Sequence, residues 1–206
     1  MYVLLGSSTS DASSPFSRRV RNAVPDFEAR GISGASVSSW IAKVRSEPST
    51  TYRGQNVLVY LPGQMSAPFA TGVRTLTDLV RARGATSVQW VLPPKFPADV
   101  KMNSTNTDRE QITGSTSAAI LAAGVGVLNR SRLILRAAEV TSDGVHLTVA
   151  GQHRLADSLI PLLSAPAAIS PTAPSLISPS TLAGGGFITL MGVLAGAYGV
   201  YLLLNR

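Results

Sequence analysis

Asn56-Val57-Leu58-Val59-Tyr60-Leu61, halted by Pro62-Gly63-Gln64, is the stretch that decides the fold. Its apolar character is continuous rather than alternating, which requires cover on both faces, the condition of a central strand in a parallel α/β sheet. Downstream, Leu76, Leu79 and Val80 fall at helical spacing between Val73 and Arg83, and Gly84 supplies a C-terminal stop. Ser87-Val88-Gln89-Trp90-Val91-Leu92 then reads as the next strand, closed by Pro93-Pro94. Strand, helix, strand with short connections implies right-handed parallel crossovers.

The same pattern extends upstream. Tyr2-Val3-Leu4-Leu5 is a short buried strand that runs into Gly6-Ser7-Ser8. Ser14-Pro15 followed by Phe16, Val20 and Val24 predicts a capped helix with Arg18, Arg19 and Arg21 on its outer face. Ala29-Arg30-Gly31-Ile32-Ser33-Gly34 reads as a glycine-punctuated loop, and Val37, Trp40, Ile41 and Val44 predict a helix after it, with Trp40 in the core. From Lys95 to Thr113 the chain is polar and irregular, either a surface loop or a substrate-facing insertion. Ala118 to Ala123 suggests a helix of small residues, Val125 to Leu128 a last short strand, and Leu155, Leu159 and Leu162 the stripe of a closing helix.

Between those last two elements lies Ser142-Asp143-Gly144-Val145-His146-Leu147-Thr148-Val149-Ala150-Gly151. Asp143 and His146, three residues apart in a glycine-containing loop, can set a carboxylate beside an imidazole and leave the other ring nitrogen free as a general base. Such a pair calls for a nucleophile on a sharp turn, and the serines after the first strand supply one.

Composition narrows the partners. Across 206 residues, 18 Lys and Arg against 11 Asp and Glu give a net charge of +7, which favours anionic neighbours. The basic residues are scattered, with no run interleaved with aromatics, so nucleic acid is not an expected partner. Without cysteine there is neither a disulfide framework nor a thiolate metal site. No cluster of His and carboxylates suggests a metal, and Gly184-Gly185-Gly186 lacks the strand-helix context that cradles phosphate, so no cofactor is expected.

Asp157 is the last charged residue before Arg206. Residues 164–183, rich in Pro, Ser and Ala, read as an extended linker after a domain of residues 1–163. Residues 184–206 read as one transmembrane helix: Gly184 to Leu204 is uncharged, and at ~1.5 Å per residue would span roughly the ~30 Å of a hydrocarbon core. A lipid bilayer is therefore an expected partner. Gly192-Val193-Leu194-Ala195-Gly196 matches the Gly-x-x-x-Gly spacing that can support helix pairing in a homo- or hetero-oligomer. No basic segment followed by an apolar core and cleavage site precedes Gly6, so the expected topology is a C-terminal anchor without a cleaved signal peptide.

The order of these features resembles the SGNH (GDSL-type) hydrolase family over residues 2 to about 163. The late Asp143-Gly144-Val145-His146 block with Gly151 and Ala156 is the most specific element, and the Gly31 to Gly34 loop is the next. The resemblance implies a three-layer α/β/α parallel sheet of flavodoxin-like type. It also implies a serine esterase in which Ser8 is the nucleophile, His146 its base and Asp143 the group that orients the imidazole. Oxyanion donors would be the backbone N–H groups of Ser8 and Gly34 and the side-chain amide of Gln64. The expected substrates are acetyl or short-chain acyl esters of a glycan or lipid. Two positions depart from the family: Ser7 stands where it has Asp, and Gln64 where it has Asn. A second expectation follows from these departures, a catalytically weakened domain used for attachment in a membrane-containing assembly such as a virion.

Overall fold

The computed structural model describes residues 1–63 and 69–165. Residues 166–183 of the expected linker, the predicted span and Gln64 lie outside the described residues, Ser164 being the last residue of a helix, and no helix among the described residues is long and apolar enough to cross a membrane.

Five parallel strands form one sheet: β1 (Tyr2–Gly6), β2 (Phe27–Gly31), β3 (Asn56–Tyr60), β4 (Ser87–Trp90) and β5 (Gly126–Val127). Their spatial order is β2-β1-β3-β4-β5. Tyr2 pairs with Phe27 on one side of β1 and with Asn56 on the other, so the first strand is central from its first residue. The helices are α1 (Pro15–Ala23), α2 (Val37–Ser46), α3 (Phe69–Ala82), α4 (Arg109–Ala122) and α5 (Val149–Ser164).

Because side chains alternate across a strand, the continuous apolar runs feed two cores. Val3, Leu5, Val57, Val59 and Trp90 point to a layer built with Trp40 of α2, Leu76 of α3 and Ile120 of α4. Leu4, Leu58 and Tyr60 point the other way, to Phe16 and Val20 of α1 and Leu155 and Leu159 of α5. The result is a three-layer α/β/α domain.

Several expectations hold in detail. Ser14 caps α1 by accepting from the Ser17 amide with Pro15 at the first turn. Others need correction. Ala29 to Gly31 belongs to β2 rather than to a loop; Glu28 and Arg30 pair with each other on this edge strand, which masks its apolar face of Phe27 and Ala29. Helix α4 begins at Arg109, inside the stretch expected to be irregular. Its buried face carries Thr113, Thr116 and Ser117, whose hydroxyls return hydrogen bonds to the Arg109, Ile112 and Thr113 carbonyls, so polar residues are buried at helical spacing without an apolar signature. In α5 the stripe continues through buried Leu163, and Leu162 is exposed.

Candidate active site

In open parallel sheets, ligand crevices form beyond the carboxyl ends of the strands where the winding direction reverses. Here that point lies between β1 and β3. A cleft of about 390 Å³ opens there, walled by Ser7 to Thr9 after β1, Ser33 to Ala35 after β2, Leu61 to Gly63 after β3, and Met102, Arg109, Val145 and His146.

The turn after β1 is held from both sides. The Gly6 carbonyl accepts from the Ile32 amide at 3.0 Å and from the Trp40 indole Nε1 at 3.1 Å. The chain then coils into a single 3-10 turn, Ser8–Ser10, with the Ser10 amide donating to the Ser7 carbonyl at 2.9 Å. The Ser14 hydroxyl donates to the Thr9 carbonyl at 2.7 Å, so the cap of α1 also ties down this turn. Gly34, at φ +70, occupies the left-handed region that a side chain disfavours. Among the described residues, neither the Ser8 nor the Gly34 amide N–H has a hydrogen-bond partner.

The Asp143 to His146 loop is a tight hairpin closed by an antiparallel bridge between Val140 and Leu147 and by the Thr141 amide donating to the His146 carbonyl at 3.0 Å. Gly144 has φ +69, and a Cβ there would overlap the Lys101 carbonyl oxygen. Asp143 Oδ1 accepts from the Thr141 hydroxyl and from the Val145 and His146 amides at 2.7 and 3.0 Å. Its Oδ2 lies 2.6 Å from His146 Nδ1, which leaves Nε2 as the nitrogen not engaged by the carboxylate. Desolvation works against the Asp143 charge, but the hydrogen bonds from Thr141, the His146 ring and the two amides outweigh it and hold the carboxyl well below the usual carboxylate range. The Asn103 amide donates to the Asp143 carbonyl at 3.1 Å and the Asn103 side chain to the Ser142 carbonyl at 3.0 Å, so the polar segment before α4 braces the hairpin.

Ser8, Gly34 and His146 thus lie on the wall of one cleft, with Asp143 behind the imidazole. Among the described residues no hydrogen bond joins Ser8 to His146. Gln64 falls outside the described residues, immediately after the cleft residue Gly63. Arg109 and Met102 are cleft residues that sequence reading did not single out. A lone arginine in a polar stretch carries no distinguishing signal; only the folding of α4 against the β3 exit brings it there.

No protein-family model matches the chain, and no curated protein matches it significantly. Among solved structures, the chain is similar to a member of the lipolytic G-D-S-L family from Veillonella parvula, at 13% identity and a TM-score of 0.56, with 76% of this chain and 93% of that one covered. It is also similar to a lipase/acylhydrolase from Enterococcus faecalis, at 15% identity and a TM-score of 0.55, covering 78% and 93%. At these identities the likeness shows the fold, a parallel five-stranded α/β sheet that matches GDSL hydrolase folds.

Proposed function

We propose that this chain is a serine esterase that hydrolyses short-chain acyl esters through Ser8, His146 and Asp143. The observation that carries the reading is the Asp143–His146 pair, joined at 2.6 Å, with its imidazole on the same cleft as Ser8 and Gly34. The likeness to lipolytic and acylhydrolase structures supports the same reading.

In the proposed reaction Ser8 Oγ attacks the ester carbonyl and passes its proton to His146 Nε2. The carbonyl π pair moves to oxygen, where the Ser8 and Gly34 N–H groups stabilise it, joined in this proposal by the Gln64 amide. Collapse expels the alcohol, which takes the proton from His146, and leaves an acyl ester on Ser8. Water, deprotonated by His146, then releases the acid. Asp143 keeps its charge throughout and stabilises the transient imidazolium. The proposal places this domain at a bilayer, tethered through residues 184–206, on the ground of the uncharged run from Gly184 to Leu204.

The test is covalent labelling by a fluorophosphonate probe. Wild-type protein should label at Ser8, Ser8→Ala should not label, and His146→Ala should label about 10²- to 10⁴-fold more slowly. Folded wild-type protein that neither labels nor cleaves short aryl esters would overturn the reading in favour of a non-catalytic attachment domain, the role suggested by Ser7 in place of the family's Asp.

A further inference from the structure

The two oxygens of the Asp143 carboxylate have different partners. Oδ2 meets His146 Nδ1 at 2.6 Å, whereas Oδ1 accepts from the Thr141 hydroxyl, from the Val145 amide at 2.7 Å and from the His146 amide at 3.0 Å. Which oxygen faces the ring is decided by rotation about Cβ–Cγ, a broad two-fold torsion that rotamer preference does not fix. Hydrogen bonds must fix it. Both amides lie on the arm of the hairpin that follows Asp143. Thr141 lies on the arm that precedes it, so its hydroxyl closes the clamp on Oδ1 from the other side. Backbone supplies the two amides whatever the side chains there, but the third donor needs a hydroxyl at position 141.

Thr141 is itself held at both of its backbone groups. Its amide donates to the His146 carbonyl at 3.0 Å, and its carbonyl accepts from the Gly144 amide at 3.0 Å. Branching at Cβ restricts χ1, so the fixed backbone carries a fixed hydroxyl. That hydroxyl also stands 3.0 Å from the His146 carbonyl, but it has one proton, and a carboxylate is the stronger acceptor.

A charged group on a neighbouring element does not replace this clamp. Arg109 of α4 acts on the Asp143 charge through space, yet its guanidinium donates to the Pro62 carbonyl and reaches the Met102 Sδ. Among the described residues no hydrogen bond joins Arg109 to Asp143. A charge without a hydrogen bond favours ionisation of the carboxyl but gives it no direction.

We infer that Thr141 is a positioning residue: its hydroxyl stops rotation of the Asp143 carboxylate so that Oδ2 alone faces His146, which keeps the ring proton on Nδ1 and leaves Nε2 free. The control of the imidazole tautomer stands on the hairpin geometry. Its consequence for ester cleavage rests on the serine esterase reading, in which Nε2 must be the unprotonated nitrogen.

The experiment compares Thr141→Val, which keeps the shape and removes the hydroxyl, with Thr141→Ser, which keeps the hydroxyl. The first readout needs no activity. In the full-length protein in detergent, at a pH where imidazole is neutral, NMR of the His146 ring nitrogens should show one protonated at Nδ1 and the other bare. His146→Ala separates these signals from those of His153. In Thr141→Val the two nitrogen shifts should move towards a common tautomer average, and in Thr141→Ser they should return to the wild-type values. The second readout is hydrolysis of 4-nitrophenyl acetate. Thr141→Val should lower kcat by about tenfold or more, the scale of one hydrogen bond to a charged group, with KM little changed and with recovery in Thr141→Ser.

Circular dichroism first establishes that each variant is folded, and Thr141→Ala takes the place of Thr141→Val if the latter does not fold. Loss of the fold in both, with Thr141→Ser folded, would make the hydroxyl a purely structural strut and overturn the inference. So would a folded Thr141→Val with a lowered melting temperature but unchanged ring nitrogens, or an active one whose loss is carried by KM. If the wild type neither cleaves the ester nor takes a fluorophosphonate, the esterase reading has failed, and the ring nitrogens alone decide whether Thr141 sets the tautomer.

Discussion

Gly144 shows how little latitude the residues around the candidate site have. Its φ of +69 and its contact with the Lys101 carbonyl exclude a Cβ on two independent grounds. Gly144→Ala should therefore destabilise the domain by about 1–3 kcal/mol, seen as a lowered urea midpoint. In the same variant, probe labelling of Ser8 should slow, because the hairpin that aims Asp143 at His146 is displaced. At this scale the sequence was legible where chemistry dictates spacing: a carboxylate and an imidazole three residues apart around a glycine have few other arrangements. Arg109 was not legible, because nothing in Thr107-Asp108-Arg109-Glu110 distinguishes an arginine that turns inward from the exposed ones.

Among the elements, α4 separates two ways in which a helix can be buried. Ile120 is fully enclosed in the apolar layer, whereas the Ser117 hydroxyl, also buried, donates only to the Thr113 carbonyl of its own helix. Ile120→Ala should cost about 2–5 kcal/mol through the cavity it leaves. Ser117→Ala should stay within about 1 kcal/mol, since the carbonyl it releases keeps its place in the helix ladder. Chemical denaturation of the two variants checks the contrast, and equal losses would show that the Ser117 hydroxyl holds more than its own helix. Apart from β2, the strands and α1 to α3 were legible because their burial is written in Val, Leu, Phe and Trp and their ends in Ser14-Pro15, Gly84 and Pro93-Pro94. Helix α4 and β2 were not, because one buries hydroxyl groups satisfied by its own backbone and the other is an edge strand carrying a Glu28–Arg30 pair.

For the molecule as a whole, several carboxylates tie distant segments together. Glu110 accepts from Arg132, from the Phe96 amide and from Thr113, which locks the exit of β4 onto α4; Glu139 does the same between Arg154 of α5 and the Arg136 amide. In both, desolvation is outweighed by these hydrogen bonds, and the carboxyl titrates below its ordinary value. A depressed carboxyl contributes stability that is present above the unfolded-state value, near 4.3 for Glu, and that is lost as pH falls through the folded-state value. Melting temperature should therefore decline on acidification below about pH 4, and Glu110→Gln should lower it at pH 7 while flattening that decline. A Glu110→Gln protein with an unchanged acid limb would assign the loss to other groups.

The central place of β1 also sets an order in time. Ser8 lies far upstream of His146 along the chain, yet both line one cleft, and α1 must wait for α5 before its apolar face is covered. Contacts this distant along the chain form late, because the loop between them must be closed before they contribute. On the proposed mechanism, a chain still on the ribosome before His146 emerges carries the serine without its base and should not take the probe. In refolding, recovery of probe labelling should lag behind recovery of helical circular dichroism, making the reactive serine a clock for completion of the domain.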